Sequence, residues 1–295
     1  MPPTSLAVVQ TDCRLADPAG NTAMVVRKLH AAADTGAELV VFPECVLSGY
    51  GFSSRAAAVE VAETVPGPGT AAVAEACAAR GVWCVFGLLE RDGDRLFNTA
   101  VVVGPRGLIG KYHKTHLPLV GADKFTDPGQ GPLAVFDLDG LRVGVGVCFD
   151  GGFPEFPRVL ALLGADLIVL PTNWADRAMT TAKFVPPVRA LENGVYFAAC
   201  NRVGTESGFH YIGRSSIHDP TGSPLATADH DGEDMLFARI DPERARQKKV
   251  VNTPGEYEVD RVNWRRPELY GLLAEPLAVP FRGHRRNDEW PTNDQ

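Results

Sequence analysis

The sequence predicts an α/β protein with mixed sheets. Three observations predict it: short apolar runs rich in Val, Ile and Leu recur along the chain, amphipathic helical stretches separate many of them, and some neighbouring runs lie close enough to pair as hairpins. Strands are expected near 5–11, 38–43, 82–90, 96–103, 107–112, 133–137, 141–148, 166–171, 194–202, 209–218 and 234–240. Helices are expected near 18–35, 69–80, 155–164, 177–193 and 242–248. The chain opens on the run Leu6-Ala7-Val8-Val9-Gln10, and the first helical stretch leads into Glu38-Leu39-Val40-Val41-Phe42, which Pro43 ends. Residues 96–103 and 107–111 read as a β-hairpin turning at Pro105-Arg106-Gly107. In Val143-Gly144-Val145-Gly146-Val147, β-branched residues alternate with glycine, the pattern of a strand that other backbone approaches closely. Phe153-Pro154-Glu155 then starts a helix, with its carboxylate near the positive end. No linker, repeat or low-complexity tract interrupts the chain, and the tail after Asn252 has no clear helical period. One domain over 1–252 and a C-terminal tail over 253–295 are therefore expected.

Three of these runs end on residues with chemistry. The strand through Val147 ends at Cys148, and Asp150-Gly151-Gly152 permits the sharp strand-to-helix turn that leaves a thiol exposed as a nucleophile. A buried core cysteine is the competing reading. Glu44 emerges at the end of the second strand, where apolar walls raise a carboxylate's proton affinity and suit it to general-base work. Lys114, in Lys111-Tyr112-His113-Lys114-Thr115-His116, can supply the fixed positive charge that lowers a thiol's pKa or stabilises an oxyanion. A surface carboxylate and a basic solvated loop are the competing readings of these two.

Glu44, Lys114 and Cys148, in that order and each at a strand end, resemble the Glu-Lys-Cys triad of the nitrilase superfamily of carbon-nitrogen hydrolases. The resemblance extends through Phe42-Pro43-Glu44, His113-Lys114-Thr115-His116-Leu117, Cys148-Phe149-Asp150, Leu170-Pro171-Thr172-Asn173-Trp174, Arg189-Ala190-Leu191-Glu192-Asn193, Asn201-Arg202-Val203-Gly204 and Gly213-Arg214-Ser215-Ser216. It implies a four-layer α-β-β-α sandwich that pairs with a second copy through helices, with a tail that reaches across the partner, so a homodimer or larger homo-oligomer is expected. It also implies an oxyanion held by Lys114 and the backbone N–H of Phe149, and a pocket wall containing Asn173 and Trp174. Many relatives carry a second Glu in the loop after the lysine. Here Asp123 is the nearest carboxylate in register, and it is the candidate for that auxiliary place, with a solvated loop as the alternative.

The composition agrees with a soluble enzyme. The chain of 295 residues is 45% hydrophobic, enough to bury a large core, and its net charge of −7 argues against nucleic acid or an anionic membrane as partner. No apolar run approaches a membrane span and the N-terminus lacks the regions of a signal peptide, so a cytoplasmic protein is expected. Six cysteines without paired spacing fit a reducing compartment. The His113-x-x-His116 spacing has no convincing third ligand, and Gly144-x-Gly146 lacks the third glycine of a dinucleotide fingerprint. Neither a metal nor an organic cofactor is expected. A Cys-His pairing of Cys148 with His113, His116 or His210 is a further possibility of the sequence.

The expected activity is hydrolysis of a small primary amide to a carboxylic acid and ammonia. Relatives that bind a substrate carboxylate often place Arg shortly after the cysteine, whereas Gly151 and Gly152 stand here, which points to a neutral or cationic acyl group. The alternatives are an N-carbamoyl amine or amino-acid hydrolase, releasing carbon dioxide as well as ammonia, and a catalytically inactive scaffold member of the superfamily. Arg189 and Glu192 are read as a structural ion pair.

Overall fold

The computed structural model describes residues 3–275. The chain divides into a unit spanning Met1–Lys248 and a second unit that begins at Lys249. The first contains two six-stranded sheets.

Strands β1 (Thr4–Gln10), β2 (Leu39–Val41) and β3 (Trp83–Asp92) run parallel, with helix α1 (Pro18–Asp34) between the first two and helices α2 (Arg55–Val61) and α3 (Pro68–Arg80) between the second and third. Strands β4 (Arg95–Gly104) and β5 (Gly107–His113) extend the sheet antiparallel beyond β3. The second sheet repeats the plan. Strands β6 (Val135–Leu138) and β7 (Leu141–Val145) form a hairpin, and β7, β8 (Leu167–Thr172) and β9 (Tyr196–Asn201) run parallel through helices α4 (Glu155–Leu162) and α5 (Met179–Asn193). After β9 come β10 (Val203–Glu206) and β11 (Phe209–Ile212), which form their own two-stranded ribbon. Strands β12 (Ser216–His218) and β13 (Pro224–Thr227) complete the second sheet, and β14 (Asp234–Ile240) returns to the first, ahead of the short helix α6 (Pro242–Arg246). The orders are β14-β1-β2-β3-β4-β5 and β13-β12-β9-β8-β7-β6, so each sheet has three parallel strands, flanked by two antiparallel strands on one side and one on the other.

Alternation along the strands explains the layering. Side chains two apart share a face, and on β1 Leu6 and Val8 pack into the core shared with the second sheet while Ala7 and Val9 pack with α1 and α3. Both faces of the sheet are thus apolar and buried, giving helix, sheet, sheet and helix in sequence: the α-β-β-α sandwich of the sequence expectation. On the outer side of the second sheet, α4 and α5 leave Val159, Leu162, Leu163, Phe184, Val188 and Leu191 exposed. No helix among the described residues is long and apolar enough to cross a membrane.

Several elements differ from the sequence expectation, and β10, β13, β15 (Lys249–Thr253) and β16 (Tyr257–Asp260) lie outside the strands it names. The run 209–218 is two strands, because Gly213 and Arg214 both adopt left-handed φ, +62° and +61°, and send β11 to the ribbon and β12 to the sheet. Helix α2 lies in a stretch read as loop; the Ser54 side chain caps it by accepting from Ala57 N–H at 3.2 Å. A boundary at residue 252 cuts β15, which pairs with β16 in the second unit. Of the expected tail, residues 276–295 lie outside the described residues.

Candidate active site

Glu44 is placed by the strand beside it. Beyond the end of β2, Phe42 N–H donates to Val85 O at 2.8 Å and Gly87 N–H donates to Pro43 O at 3.2 Å, so β3 keeps hold of the chain up to the carboxylate. Only glycine permits this approach: a Cβ on residue 87 would stand 2.3 Å from Cys45 N and 2.8 Å from Glu44 Cα. Lys114 follows β5 directly, and its N–H donates to Asn98 O on β4 at 2.9 Å. Its Nζ donates to Glu44 Oε1 at 2.8 Å and to Asp123 Oδ2 at 2.5 Å. Asn98 Nδ2 bridges the same carboxylates at 2.7 and 2.8 Å, and Tyr50 OH donates to Asp123 Oδ2 at 2.8 Å. Asp123 reaches in from a 3₁₀ turn whose first residue, Gly121, has φ +54° and passes so near the Tyr50 ring that a Cβ would clash at 2.1 Å. Glu44, Lys114 and Asp123 are all fully buried.

Burial without compensation would neutralise such charges. Burial does push the Glu44 carboxyl above its ordinary pKa; Lys114 opposes the shift and Asp123 adds to it. Burial also disfavours the Lys114 ammonium, but the charges of Asp123 and Glu44 outweigh it and hold the amine protonated well above the usual lysine range. The Glu44 Oε2 atom is buried and has no hydrogen-bond partner among the described residues.

Cys148 comes from the other sheet. It follows β7 at the start of a 3₁₀ turn, Cys148–Gly152, with φ +47°, a left-handed conformation that costs a non-glycine residue roughly 1–3 kcal/mol and marks sharp nucleophile turns. Asp150, fully buried, ties that turn to the lysine segment. Its Oδ2 accepts from Val147 N–H and Tyr112 OH, both at 2.9 Å, and its Oδ1 accepts from His116 N–H and Thr115 Oγ1 at 3.2 Å and lies 2.7 Å from His116 Nδ1. Arg189 on α5 clamps the turn from the far side, donating to Gly151 O at 2.9 Å and Gly152 O at 3.2 Å while pairing with Glu192 at 3.0 Å. The Cys148 thiol is pushed well above its ordinary pKa by burial and then by the Glu44 charge, against Lys114 and a hydrogen bond from Asn173 N–H. It therefore keeps its proton at neutral pH until a base removes it.

Cys148 lines a cleft of about 730 Å³ whose walls include Tyr50, Phe149, Trp174, Phe209 and Tyr211. Gly152, Asn173 and Trp174 line it, as read from sequence. Gly151 does not. It is buried beneath the turn, where a Cβ would meet Leu170 Cδ2 at 2.7 Å, and its carbonyl belongs to Arg189. Gly151 and Gly152 offer no guanidinium, and the one that lines the cleft, Arg177, comes with Asp176 from the 3₁₀ turn Asp176–Ala178. His113 and His116 diverge: His113 Nε2 lies 2.8 Å from Glu90, its ring stacked on Phe97, while His116 faces Asp150. No group of three or more metal-ligating side chains is arranged for a metal among the described residues. Sequence reasoning missed Tyr50, Asn98 and Tyr211, and gave no role to Asp150. Asn98 had a signal, an amide within the apolar strand Leu96-Phe97-Asn98-Thr99-Ala100-Val101.

Comparison with known proteins agrees with this geometry. Residues 5–250 match the carbon-nitrogen hydrolase family. The chain is 41% identical over 250 residues to a protein named nitrilase from Pyrococcus abyssi, covering 83% of this chain and 92% of that one. It is 29% identical to a formamidase from Bacillus cereus, over 77% of this chain and 69% of the relative. Among solved structures it resembles an amidase from Nesterenkonia sp. with a TM-score of 0.75 and 25% identity, covering 90% of this chain and 95% of that one. With a family match over nearly the whole first unit and the family's fold around the cluster, the chain belongs to the nitrilase superfamily of carbon-nitrogen hydrolases and is a hydrolase of carbon–nitrogen bonds other than peptide bonds.

Proposed function

We propose that the protein is an amidase that converts a small primary amide to the carboxylic acid and ammonia through a thioester on Cys148. The observation that carries this reading is the unpartnered Glu44 Oε2, buried in the electrostatic reach of a protonated thiol, with Lys114 fixed beside it by two carboxylates. The amidase from Nesterenkonia and the formamidase support the choice of amide. Cys148 Sγ attacks the carbonyl carbon as Glu44 takes the thiol proton. A lysine ammonium has three N–H donors; Glu44 and Asp123 occupy two, and the third, with Phe149 N–H, holds the oxyanion. The intermediate collapses, the C–N bond breaks, and Glu44 gives its proton to the departing nitrogen, which leaves as ammonia. Glu44 then takes a proton from water as its oxygen attacks the thioester, and returning that proton to sulfur releases the acid and regenerates the thiol. Asp123 and Asn98 keep the lysine and Glu44 in register throughout.

The identity to a protein named nitrilase favours a second reading in which the same thiol attacks a nitrile. Ammonia release from aliphatic amides, nitriles and N-carbamoyl compounds, run beside Cys148→Ala, separates the readings. Release from amides that disappears in the variant is the expected result; release confined to nitriles favours the second reading, and wild-type release by Cys148→Ala sinks both. The exposed apolar face of α4 and α5 supports a homodimer as part of the proposal, read by sedimentation at micromolar concentration, where a monomer alone counts against it. The six free cysteines support a cytoplasmic location.

A further inference from the structure

Two polar side chains in the cleft wall have no part in the bond-breaking steps. Tyr211 is 1% exposed, and its hydroxyl has no hydrogen-bond partner among the described residues; Asn173 is 7% exposed, and neither Oδ1 nor Nδ2 has one. Both line the cleft that holds Cys148, and the Asn173 backbone N–H favours the Cys148 thiolate, so this residue lies beside that thiol. An unmet buried polar group costs about 1–3 kcal/mol, so side chains free to move find partners.

The backbone that carries them is held on both sides. Tyr211 pairs with Ala175 through an antiparallel bridge, and Ile212 N–H donates to Trp174 O at 3.1 Å. Asn201 grips the same stretch, accepting from Trp174 N–H at 2.7 Å and donating to Trp174 O at 3.1 Å. The Arg202 guanidinium stands 4.5 Å over the Tyr211 ring. The backbone thus fixes where both side chains leave the chain, in one wall of the cleft that holds Cys148.

Their donor set selects a ligand. Asn173 Oδ1 accepts, Nδ2 donates and the Tyr211 hydroxyl does either. A carboxylate leaves Oδ1 without a donor, an ammonium leaves Nδ2 without an acceptor, and an alkyl group leaves all three unmet. A neutral group that both donates and accepts meets all of them. The cleft lining carries ionisable groups of both signs, Asp176, paired with His210 Nδ1 at 2.7 Å, and Arg177. We propose that Tyr211 and Asn173 form a specificity subsite for amides that carry a hydroxyl or a second carboxamide close to the scissile carbonyl. The inference rests on the amidase reading and names its substrate class.

The test compares kcat/KM for 2-hydroxypropanamide and malonamide with that for 2-methylpropanamide, with alaninamide and malonamate as charged controls. Each is measured in the wild type, Tyr211→Phe and Asn173→Ala. The wild type is expected to favour the hydroxyl over the methyl compound about ten- to a hundredfold, because a site built for a hydrogen bond rejects the analogue lacking it. Tyr211→Phe shrinks that ratio about tenfold and does not lower Tm, since the hydroxyl removed has no partner among the described residues. Asn173→Ala shrinks the ratio independently. A ratio unchanged in both variants, or a wild type that prefers the methyl or the charged amides, overturns the subsite alone. Cys148-dependent turnover of no amide at all overturns the amidase reading and the subsite with it.

Discussion

The two sheets contribute unequal halves of the site. The first supplies Glu44, Asn98 and Lys114 from the ends and the middle of its strands, joined by Asp123, and the cluster they form is buried and hydrogen-bonded almost to saturation. The second supplies Cys148 on a left-handed turn and Asn173 after β8, in an open cleft where polar atoms are left unmet. Charge is held by ion pairs in one half, where Glu44 Oε2 alone of the cluster's carboxylate oxygens has no partner among the described residues, and polar side chains that line the cleft are left unsatisfied in the other. A preorganised electrostatic site works in this way, because its dipoles and charges are fixed before the reaction begins. Stability and reactivity should therefore separate along the seam between the sheets.

The largest effect on stability is expected on the sealed side. Lys114→Met leaves Glu44 and Asp123 as buried carboxylates with no cation between them, and breaking a buried ion network in this way costs about 3–5 kcal/mol. The sign with pH follows from the like charges. Without the ammonium, the Glu44 carboxyl, already raised by burial, rises further, so the variant is closest to wild type in acid and loses stability as the pH climbs from the ordinary carboxyl value of 4.5 to that raised one. Urea denaturation at several pH values reads this. Cys148→Ala, by contrast, removes turnover and changes stability by no more than about 1 kcal/mol, because the thiol has little to hold in place. Equal losses of stability in the two variants would erase the distinction between the halves.

Asp150 is the tie across the seam, and Asp150→Asn is expected to come next. An amide nitrogen there faces donors from Val147, Tyr112, Thr115 and His116, so at least one charge-assisted hydrogen bond becomes a clash, at a cost of about 2–3 kcal/mol. Because the same carboxylate orients the nucleophile turn and the segment bearing Lys114, kcat/KM should fall at least about tenfold as the reacting groups lose register. A variant with the stability loss but unchanged kcat/KM would mean that the two halves keep their geometry without the tie.

What the sequence disclosed follows from how local each feature is. Glu44, Lys114 and Cys148 were legible because each ends a strand next to residues that stop it, and the sandwich was legible because its strands are apolar on both faces. Asp123 was in register, but its pairing with Lys114 depends on a turn that only the packing of Gly121 against Tyr50 fixes. Asn98 sits in mid-strand, and its role arises from where β4 lies beside β5 and the end of β2, a matter of tertiary register. Tyr211 was read as part of one long strand, because nothing in 209–218 announces the left-handed pair Gly213-Arg214 that redirects the chain and turns its ring into the cleft wall. Arg177 is hidden in the sequence for a similar reason: it lies far from the cysteine along the chain, and the cleft is assembled from loops far apart in it.

The smallest effect concerns a second charge cluster on the first sheet, which tests whether sealing is general there or special to Lys114. Glu90 on β3 is buried, accepts from Thr99 Oγ1 at 2.9 Å and from Lys111, and lies 2.8 Å from His113 Nε2, the residue before Lys114. Burial pushes its carboxyl up, but the hydrogen bonds from His113 and Lys111 and the charge of His113 outweigh burial and hold it below the ordinary value of 4.5. A depressed folded-state pKa means that Glu90 contributes stability above that ordinary value and loses it as the pH falls through the depressed one. Glu90→Gln should therefore be less stable than wild type by about 1–3 kcal/mol at pH 7, with the difference closing in acid. Turnover should fall less than in Asp150→Asn, because Glu90 reaches Lys114 only through its neighbour His113. A difference that persists unchanged into acid would show that Glu90 acts through packing rather than charge, and the first sheet would then keep its electrostatic sealing for the Lys114 cluster alone.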